Sequence, residues 1–582
     1  MPRRWAACVA LFAMAVSQLP YLVGWSFAGK RHFMWLGYNF DDSCVYLSWM
    51  RQAADGSTWG LNLFTTEPQH GMLINPLFLL LGWFARLAHL NVLVVYHLAR
   101  LSFGFGLLML VWEFLRENVT SIETRKLALL CVAFASGLGW LPWLWNSHLT
   151  IDTWQPEAIT FLSLYLSPLF CFSMALQVGI LLLLQKGERT GRARYAVCAG
   201  LCGFALGLIH TYDIITMCTI WAGYLLLRLL FPLWKRDFPR LPPVAWIHAL
   251  IASAITFPSV SFIVWELYTE SVFLKRANVK TLAPGVIWVG LGYGLLLALD
   301  LLALFIILRR DTREPSENTT QPEDDRMSSQ FSKFLRDPDS LVLLIIWPIL
   351  NLAVSYLPVA FQRKMLQGEH FPIAILAGIG ASWLLARPIF LTQRWRFNFA
   401  SVLLIFVLSI SNLQFMLRDI DNFEDNRVQT HIHRAYLEPG ELDALNWIEV
   451  NTPPGASIQP MPWVTWTIDK KGRRMVNAYD ITLSSISPSI VHRRVYCGHF
   501  GETPDFNSKL NEASKIVWTN DAERTILLRK MKVDYIIFSQ KRPLEEDIEL
   551  LALFTGAKPH SKYLVLVYTN EDADVYKVQL PH

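Results

Sequence analysis

Long apolar runs, separated by short polar segments, fill the chain up to about residue 417. A helix needs roughly 20 consecutive apolar residues to cross the hydrocarbon core of a bilayer. By that rule the pattern predicts about eleven membrane-spanning helices, near residues 5–26, 90–115, 126–146, 166–185, 195–211, 213–232, 244–267, 284–308, 340–361, 371–387 and 398–417. We therefore expect an α-helical, polytopic membrane protein.

The pattern changes near the C-terminus. Runs with helical periodicity alternate there with strand-like runs: 440–451, 503–517, 522–532 and 544–554 against 493–500, 533–539, 563–569 and 573–580. Such alternation is typical of an α/β domain. We predict a multi-span domain over 1–417 with its first outer loop at 27–76, a flexible cytoplasmic loop at 311–339, and an extracytoplasmic α/β domain over 437–582.

Composition and charge agree with this division. Hydrophobic residues make up 53% of the chain and charged residues only 17%, whereas soluble domains average about 25% charged residues. Lys and Arg concentrate in alternate short loops, which predicts a cytoplasmic N-terminus and, with an odd number of spans, an external C-terminal domain. We expect a multi-pass protein of the cell inner (plasma) membrane. Because the basic residues follow the membrane boundaries, the sequence argues against a nucleic-acid partner.

The first outer loop carries two adjacent carboxylates, Asp41 and Asp42, just ahead of a helical pattern. At such a junction one carboxylate can cap the helix while the other projects into a site. A projecting carboxylate can act as a general base or bind a divalent metal, Mg or Mn. The plain alternative for either residue is a helix N-cap. His70, in the same loop, is a further candidate on the acceptor side, although a lone His is more often structural.

Basic residues in the outer loops break the charge rule and therefore invite a functional reason. Arg363 and Lys364 lie in a tight loop between two predicted spans, and His370 follows closely. Arg and Lys suit an anionic lipid phosphate, so we expect these three residues to bind the phosphate of a lipid-linked donor. The alternative is an interfacial anchor whose charged end reaches water.

Other ionisable residues gather at the predicted outer ends of the spans. His210, Tyr212 and Asp213 connect two short spans, and Glu157 precedes another. Ionisable residues at membrane depth are costly and point to a functional site. We expect them to support the site on its acceptor side. The alternative is a structural hydrogen-bond network that joins spans.

These features together resemble the GT-C superfamily of membrane glycosyltransferases. The sharpest motif is the first loop, NFDDSCVYLSWMRQAADG, and the segments WQPEAITFLS, LIHTYD and QRKMLQGEHFPIAIL are similar to a bacterial GT-C-like group. The resemblance implies a polyprenyl-phosphate-linked sugar as donor. It implies that Asp41 or Asp42 is the catalytic carboxylate and that Arg363 and Lys364 hold the donor phosphate. The tail lacks a W-W-D-x-G sequence, which argues against transfer to glycosylation sequons.

The sequence thus predicts an inverting glycosyltransferase that moves a sugar to a hydroxyl acceptor at the outer face of the cytoplasmic membrane. Its expected partners are the polyprenyl-phosphate-linked sugar, membrane lipid, and an acceptor glycan, lipid or protein. Two alternatives stay open. A transporter or lipid flippase would need charged or broken helices near the bilayer midplane. A non-catalytic membrane anchor for the C-terminal domain would leave the Asp pair without a role.

Overall fold

The computed structural model describes residues 2–581, apart from 74, 145–148, 235–240, 310–333, 387–393, 429–431, 469–473 and 541–560. The chain forms two compact units. The helical unit comprises Met1–Gln18, Leu98–Trp265 and Lys280–Met416. The mixed unit comprises Leu19–His97, Glu266–Val279 and Leu417–His582.

Helices dominate the described residues. In chain order the α-helices are α1 (Pro2–Val16), α2 (Leu19–Ser26), α3 (Phe40–Ala54), α4 (Pro76–Ala88), α5 (Val92–Asn118), α6 (Ile122–Phe134), α7 (Trp140–Trp143), α8 (Thr160–Leu166), α9 (Pro168–Thr190), α10 (Ala193–Ile209), α11 (Tyr212–Trp234), α12 (Pro243–Thr269), α13 (Ser271–Ala277), α14 (Val286–Leu308), α15 (Pro338–Val354), α16 (His370–Leu385), α17 (Arg394–Leu408), α18 (Ile410–Glu424), α19 (Pro439–Asn451), α20 (Thr482–Val491), α21 (Phe506–Lys515) and α22 (Asp521–Met531). Short 3-10 helices cover Ile151–Thr153, Pro156–Ala158 and Gln362–Leu366.

Seven helical stretches among the described residues are long and apolar enough to cross a membrane, and α17 with α18 makes an eighth if this bent pair counts as one span. The seven coincide with the spans predicted near 5–26, 90–115, 166–185, 213–232, 244–267, 284–308 and 371–387. Over 195–211 and 340–361 the structure has the shorter apolar helices α10 and α15, each of 17 residues. The prediction of a multi-pass, helical membrane protein is confirmed.

The span predicted over 126–146 is wrong as a continuous helix. Helix α6 ends at Phe134, and the chain then turns because its backbone finds another partner. The backbone N–H groups of Gly137 and Gly139 donate to Asp152 Oδ2 at 3.1 and 2.9 Å. Burial raises the pKa of the Asp152 carboxyl group above its usual range. The Asp152 carboxyl group therefore accepts the hydrogen bonds that backbone carbonyls would accept in a continuous helix.

Helix α16 is the most completely buried of the long helices in the helical unit. Small residues allow its neighbours to approach closely. A Cβ atom on Gly380 would lie 2.2 Å from the Leu299 carbonyl oxygen in α14. Close contact between helix backbones at small residues is typical of membrane bundles, where apolar side chains gain little by leaving lipid. Helix α16 begins at His370, shortly after the segment with Arg363 and Lys364.

The mixed unit contains the β-strands: β1 (His32–Phe33), β2 (Tyr436–Leu437), β3 (Ser457–Pro460), β4 (Trp463–Ile468), β5 (Arg474–Asp480), β6 (Arg494–Val495), β7 (Tyr535–Ser539), β8 (Leu564–Thr569) and β9 (Ala573–Val578). Its main sheet has the order β6-β3-β7-β9-β8. Strand β3 is parallel to β6 and β7, whereas β9 is antiparallel to β7 and β8. Strand β1, in the predicted first loop, pairs with β2 in the tail.

The predicted α/β character of the tail is confirmed. The helices expected at 440–451, 503–517 and 522–532 correspond to α19, α21 and α22, and three expected strands correspond to β7, β8 and β9. The strand-like run 493–500 forms only the two-residue β6, since the Cys497 N–H donates to the Gln459 side chain at 2.8 Å and the chain leaves the sheet edge. The helix expected at 544–554 and most of the loop at 311–339 lie outside the described residues.

Candidate functional site

The Asp pair opens helix α3 in the mixed unit. Asn39 stands at the N-cap, and Asp41 and Asp42 belong to the first turn. The expectation that one Asp caps the helix is therefore wrong. Carboxylates in a first turn still gain from the helix dipole. Asp41 is buried and Asp42 is half-buried, so the two adjacent side chains meet different surroundings.

Asp41 has a histidine partner from the tail. Its Oδ1 atom lies 2.7 Å from Nε2 of His433, and the His433 ring stacks on Phe40 with centroids 4.6 Å apart. Burial works to raise the pKa of Asp41, but the positive charge and contact of His433 outweigh it, so the pKa is lowered. Asp41 therefore stays ionised.

His499 is a second histidine that acts electrostatically on Asp41. Its Nδ1 accepts backbone N–H groups from Gly501 and Glu502 at 2.9 and 3.0 Å. In the neutral ring, the proton must then sit on Nε2, which is buried and has no hydrogen-bond partner among the described residues.

The sequence analysis missed His433, and its only local signal was a histidine in a short polar stretch beyond the last apolar run.

His70 lies elsewhere on the mixed unit. Its side chain is almost fully exposed, and Nδ1 lies 2.7 Å from Oε1 of Glu270. The neighbouring backbone is tied to the same segment, because the Leu73 N–H donates to Glu266 Oε1 at 2.8 Å. The structure therefore gives His70 a surface ion-pair geometry, and its predicted role on the acceptor side stays a prediction.

Arg363 and Lys364 lie on the 3-10 helix Gln362–Leu366 of the helical unit, and each covers an aromatic ring. The Arg363 guanidinium carbon is 5.3 Å from the Trp154 ring centroid. The Lys364 ammonium is 5.3 Å from that of Tyr212. We call these four side chains the cation platform. Arg363 Nε is buried and makes no hydrogen bond within the described residues, so the guanidinium keeps a donor for a further acceptor.

Backbone hydrogen bonds hold the platform in place. The Gln155 side chain donates to the Arg363 carbonyl at 3.0 Å, and the Asn351 side chain donates to the Met365 carbonyl at 2.6 Å. Gly368 then turns the chain into α16 with a φ of +87°, a conformation that favours glycine. The two cations are thus fixed by their backbone rather than placed on a mobile loop.

Tyr212, His210 and Asp213 form a hydrogen-bonded row beside the platform. The Tyr212 hydroxyl lies 2.7 Å from His210 Nε2, and His210 Nδ1 lies 2.7 Å from Asp213 Oδ2. The same Asp213 oxygen accepts from Gln367 Nε2 at 2.7 Å. The row forms because α10 ends at Ile209 and α11 begins at Tyr212, and the polar side chains at this short connection turn toward one another. The structure therefore brings these predicted residues together with Lys364.

The other predicted residues of the helical unit are buried. Glu157 belongs to the 3-10 helix Pro156–Ala158, close enough for its charge to act on Asp213. His370 begins α16, where Nδ1 lies 2.9 Å from the Thr160 hydroxyl and the ring stacks on Tyr293. His370 is fully enclosed, so its predicted contact with a donor phosphate stays untested.

Two buried acids escaped the sequence analysis. Glu369 precedes α16, and Asp300 is the one acidic residue of the apolar helix α14. The two carboxyl groups act on each other electrostatically. A single acid inside an apolar run is a recognisable functional signal, and it could have drawn attention to Asp300.

The divalent metal considered for Asp41 and Asp42 stays a prediction. No group of three or more His, Cys, Asp or Glu side chains among the described residues could hold a metal ion. The Oδ1 atom of Asp41 faces His433 instead. We therefore derive no chemical step through a metal.

No protein-family model matches the chain, and no curated protein matches it. Its fold resembles that of the arabinofuranosyltransferase AftD from Mycobacteria, with a TM-score of 0.52 and 13% sequence identity over 100% of this chain and 42% of that one. ArnT from Cupriavidus metallidurans, in the apo state and bound to undecaprenyl phosphate, gives a TM-score of 0.49 and 13% identity over 97% of both chains. The likeness to AftD supports the predicted fold, a polytopic helical membrane protein with an α/β tail.

Proposed function

We propose that this protein is a membrane glycosyltransferase that moves a sugar from a polyprenyl-phosphate-linked donor to a hydroxyl acceptor. The cation platform carries the proposal, since one short helix presents Arg363 and Lys364 with an unused Arg363 donor. Guanidinium and ammonium groups are the usual protein ligands of phosphate oxygens. The likeness in fold to an arabinofuranosyltransferase supports the same general kind of reaction.

Each charged group has a role in the proposed sugar transfer. In an inverting transfer, the acceptor oxygen bonds to the anomeric carbon while the bond from that carbon to the phosphate oxygen breaks. The polyprenyl phosphate leaves with the electron pair and gains one negative charge. Arg363 and Lys364 stabilise that developing charge. The proton of the acceptor hydroxyl passes to a carboxylate.

Asp42 is the carboxylate that we assign to the acceptor. It is half-buried, so an acceptor can reach it, whereas Asp41 is buried against His433. Asp41 is then a positioning residue: with His433 it fixes the first turn of α3, on which Asp42 lies. We place the reaction at the outer face of the cell inner membrane, with a lipid, glycan or protein as acceptor.

Binding of a polyprenyl monophosphate to the protein in nanodiscs tests the donor site. Replacing Arg363 and Lys364 together by Ala should weaken binding about 100-fold, as expected for the loss of two charged contacts. Arg194→Ala is the matched control, because Arg194 also covers an aromatic ring, at 4.9 Å from the Tyr195 centroid. If the double variant and the control bound the lipid with equal affinity, Arg363 and Lys364 would not form the donor site.

Sugar transfer tests the carboxylates. With a panel of radiolabelled polyprenyl-phosphoryl pentoses and hexoses and a membrane extract as acceptor, Asp42→Asn should lower the rate by about 100-fold or more. Lipid binding should stay unchanged. Full activity in Asp42→Asn would contradict the assignment, and loss of activity only in Asp41→Asn would move the role of base to Asp41.

A further inference from the structure

A cleft of about 690 Å³ opens on the surface of the mixed unit. Its volume lies within the range of roughly 300–1,000 Å³ that is usual for small-molecule sites. Lys275 and Asn278 line it from α13 and the end of that helix, and Phe500, Asp505 and Asn507 line it from the loop that leads into α21 and from the first turn of α21. We call it the α13 cleft. The roles proposed so far for charged residues leave it without a ligand.

Phe500 gives the α13 cleft an aromatic wall. One face of its ring is covered, because the ring stacks on the His499 imidazole with centroids 5.0 Å apart and an angle of 15° between the planes. Phe500 is nevertheless 49% exposed, so the rest of its ring is open to a ligand. An aromatic face carries partial negative charge. The C–H groups on one face of a sugar ring form a flat, weakly positive surface that fits against it.

Hydrogen bonds fix the loop that carries Phe500. The buried Thr503 hydroxyl donates to the Phe64 carbonyl at 2.8 Å and accepts the backbone N–H of His499 at 3.2 Å. The His499 ring in turn accepts the backbone N–H of Gly501 at 2.9 Å. The aromatic wall is therefore formed before a ligand arrives, which reduces the entropy lost on binding.

Two side-chain amides in the cleft have hydrogen-bonding capacity to spare. Asn278 and Asn507 are both exposed, and neither amide side chain makes a hydrogen bond to the part of the chain that the structure describes. An amide side chain both donates and accepts. Sugar hydroxyls also do both, whereas an ionised phosphate or carboxylate only accepts. The pair of amides therefore suits a ligand rich in hydroxyl groups.

The charges around the cleft balance one another. Lys275 Nζ lies 3.5 Å from Glu67 Oε2 and 3.8 Å from Asp505 Oδ2. Lys509 Nζ lies 2.8 Å from Glu67 Oε1. Two ammonium groups thus face two carboxylates. An anionic ligand would compete with these carboxylates for Lys275, and a cationic one would compete with Lys275 for them. The pattern favours an uncharged ligand.

The loop with Phe500 also connects the cleft to the surroundings of the Asp pair. His499, next to Phe500 in the chain, acts electrostatically on Asp41. All of these residues belong to the mixed unit. A ligand in the cleft is therefore held by the same loop whose other end reaches the surroundings of α3, on which Asp42 lies.

We propose that the α13 cleft binds a neutral oligosaccharide, the part of the acceptor that extends beyond the hydroxyl to be glycosylated. One sugar ring stacks on Phe500, and Asn278 and Asn507 bind sugar hydroxyls. This inference rests on the function proposed above, because only a transfer reaction has an acceptor. It narrows the acceptor from a lipid, glycan or protein to one that carries a chain of uncharged sugars.

Saturation-transfer NMR on the full-length protein in nanodiscs tests the binding. The probes are neutral tetrasaccharides of glucose, galactose, mannose, arabinose and rhamnose, with tetragalacturonic acid as an acidic counterpart. At least one neutral probe should bind. Phe500→Ala should weaken that binding about tenfold, and Phe500→Trp should keep most of it. Asn278→Ala and Asn507→Ala should each weaken it about threefold or more.

Ile526→Ala is the matched control, since Ile526 is another apolar side chain of the mixed unit and is 69% exposed. It should bind the probe as wild type does. Because Phe500 is also exposed, Phe500→Ala should keep the thermal midpoint of wild type. The proposal is overturned if no neutral tetrasaccharide binds, if Phe500→Ala binds as tightly as Ile526→Ala, or if tetragalacturonic acid binds more tightly than every neutral probe.

Transfer kinetics separate this inference from the proposed function. In the assay with a membrane extract as acceptor, the tetrasaccharide that binds should compete with the extract. Phe500→Ala should raise the amount of extract needed for half-maximal rate and leave the maximal rate unchanged. Transfer that is indifferent to Phe500→Ala would refute the cleft as acceptor site and leave the glycosyltransferase standing. Tetrasaccharide binding at Phe500 without any transfer by wild type would refute the glycosyltransferase and, with it, the acceptor role of the cleft.

Discussion

Nε2 of His433 lies 2.7 Å from Oδ1 of Asp41. Both side chains are buried, so the contact replaces the water around both groups by one ion-pair geometry. Such pairs give little net stability, but removal of one partner leaves a costly uncompensated charge. The pair joins the first turn of α3 to the tail within the mixed unit.

The Asp41 contact predicts a dependence of stability on acid pH. Because the pKa of Asp41 is lowered in the folded state, its stabilising contribution is present above the ordinary Asp pKa of about 4 and is lost as the pH falls through the lower folded value. The gap in thermal midpoint between wild type and Asp41→Asn should therefore be widest near neutral pH and close below about pH 4. Thermal unfolding in detergent between pH 3 and 7 measures it.

Asp505→Asn is the control for this experiment, since the Asp505 side chain is largely exposed and lies 3.8 Å from Lys275. Its midpoint should follow wild type throughout. A gap for Asp41→Asn that widens in acid would show that His433 does not stabilise the ionised carboxylate.

We predict a large loss of stability when Arg434, next to His433, is replaced. It donates to both oxygens of Glu441 at 2.9 and 2.8 Å and to Asp480 at 2.6 Å. Burial lowers the pKa of Arg434, but these carboxylates raise it above its usual range. Arg434→Met should destabilise the protein by about 3–5 kcal/mol, because two buried carboxylates lose their cation.

Arg434→Lys should recover only part of this loss, since an ammonium group cannot bridge two carboxylates as a guanidinium does. Thermal midpoints of the intact protein measure both variants. Arg529→Met is the control, with one bond to the Pro581 carbonyl. A midpoint for Arg434→Met equal to that of the control would contradict the buried network.

Alanine replacements at three glycines should destabilise the protein to different degrees. Gly368 has a φ of +87°, and its Cβ atom would lie 2.4 Å from the Gln177 side chain. Gly191 has a φ of +68° with no atom within 4 Å, and Gly290 has an ordinary φ and equally open space. Replacement by Ala should leave Gly290 near neutral, cost about 1–2 kcal/mol at Gly191 through backbone strain, and cost more at Gly368.

The same series reports on the donor site. Gly368→Ala should also weaken binding of polyprenyl phosphate, because Gly368 ends the segment with Arg363 and Lys364, whereas Gly191→Ala should not. Thermal midpoints and lipid affinity measure the two effects. Equal midpoints for the Gly191 and Gly368 variants would show that the Gln177 side chain gives way without cost.

Replacement of Trp154 should change how tightly the cation platform binds polyprenyl phosphate. An aromatic face attracts a guanidinium by roughly 0.5–2 kcal/mol, and here it fixes the Arg363 side chain. Trp154→Leu should weaken binding of polyprenyl phosphate several-fold, and Trp154→Phe should restore most of the affinity. The same nanodisc assay measures both. Equal binding by the Leu and Phe variants would mean that the ring is packing alone.

Sequence alone determined the class of architecture. Lipid accepts no unpaired backbone groups, so long apolar runs favour helices, and seven of the predicted spans are helices of sufficient length. Arg363 and Lys364 stood out because they break the charge rule for outer loops. His210, Tyr212 and Asp213 stood out because polar residues are rare at membrane depth. All these signals are local, and each can be read within a short window.

Only the tertiary structure decided which side chains meet. Nothing in the local sequence pairs Asp41 with His433 or Trp154 with Arg363, since each pair joins segments far apart in the chain. The early end of α6 likewise depends on Asp152, which takes two backbone N–H groups from Gly137 and Gly139. Periodicity tells which residues leave water. It cannot tell which distant partner satisfies a buried charge, because that choice is made by packing.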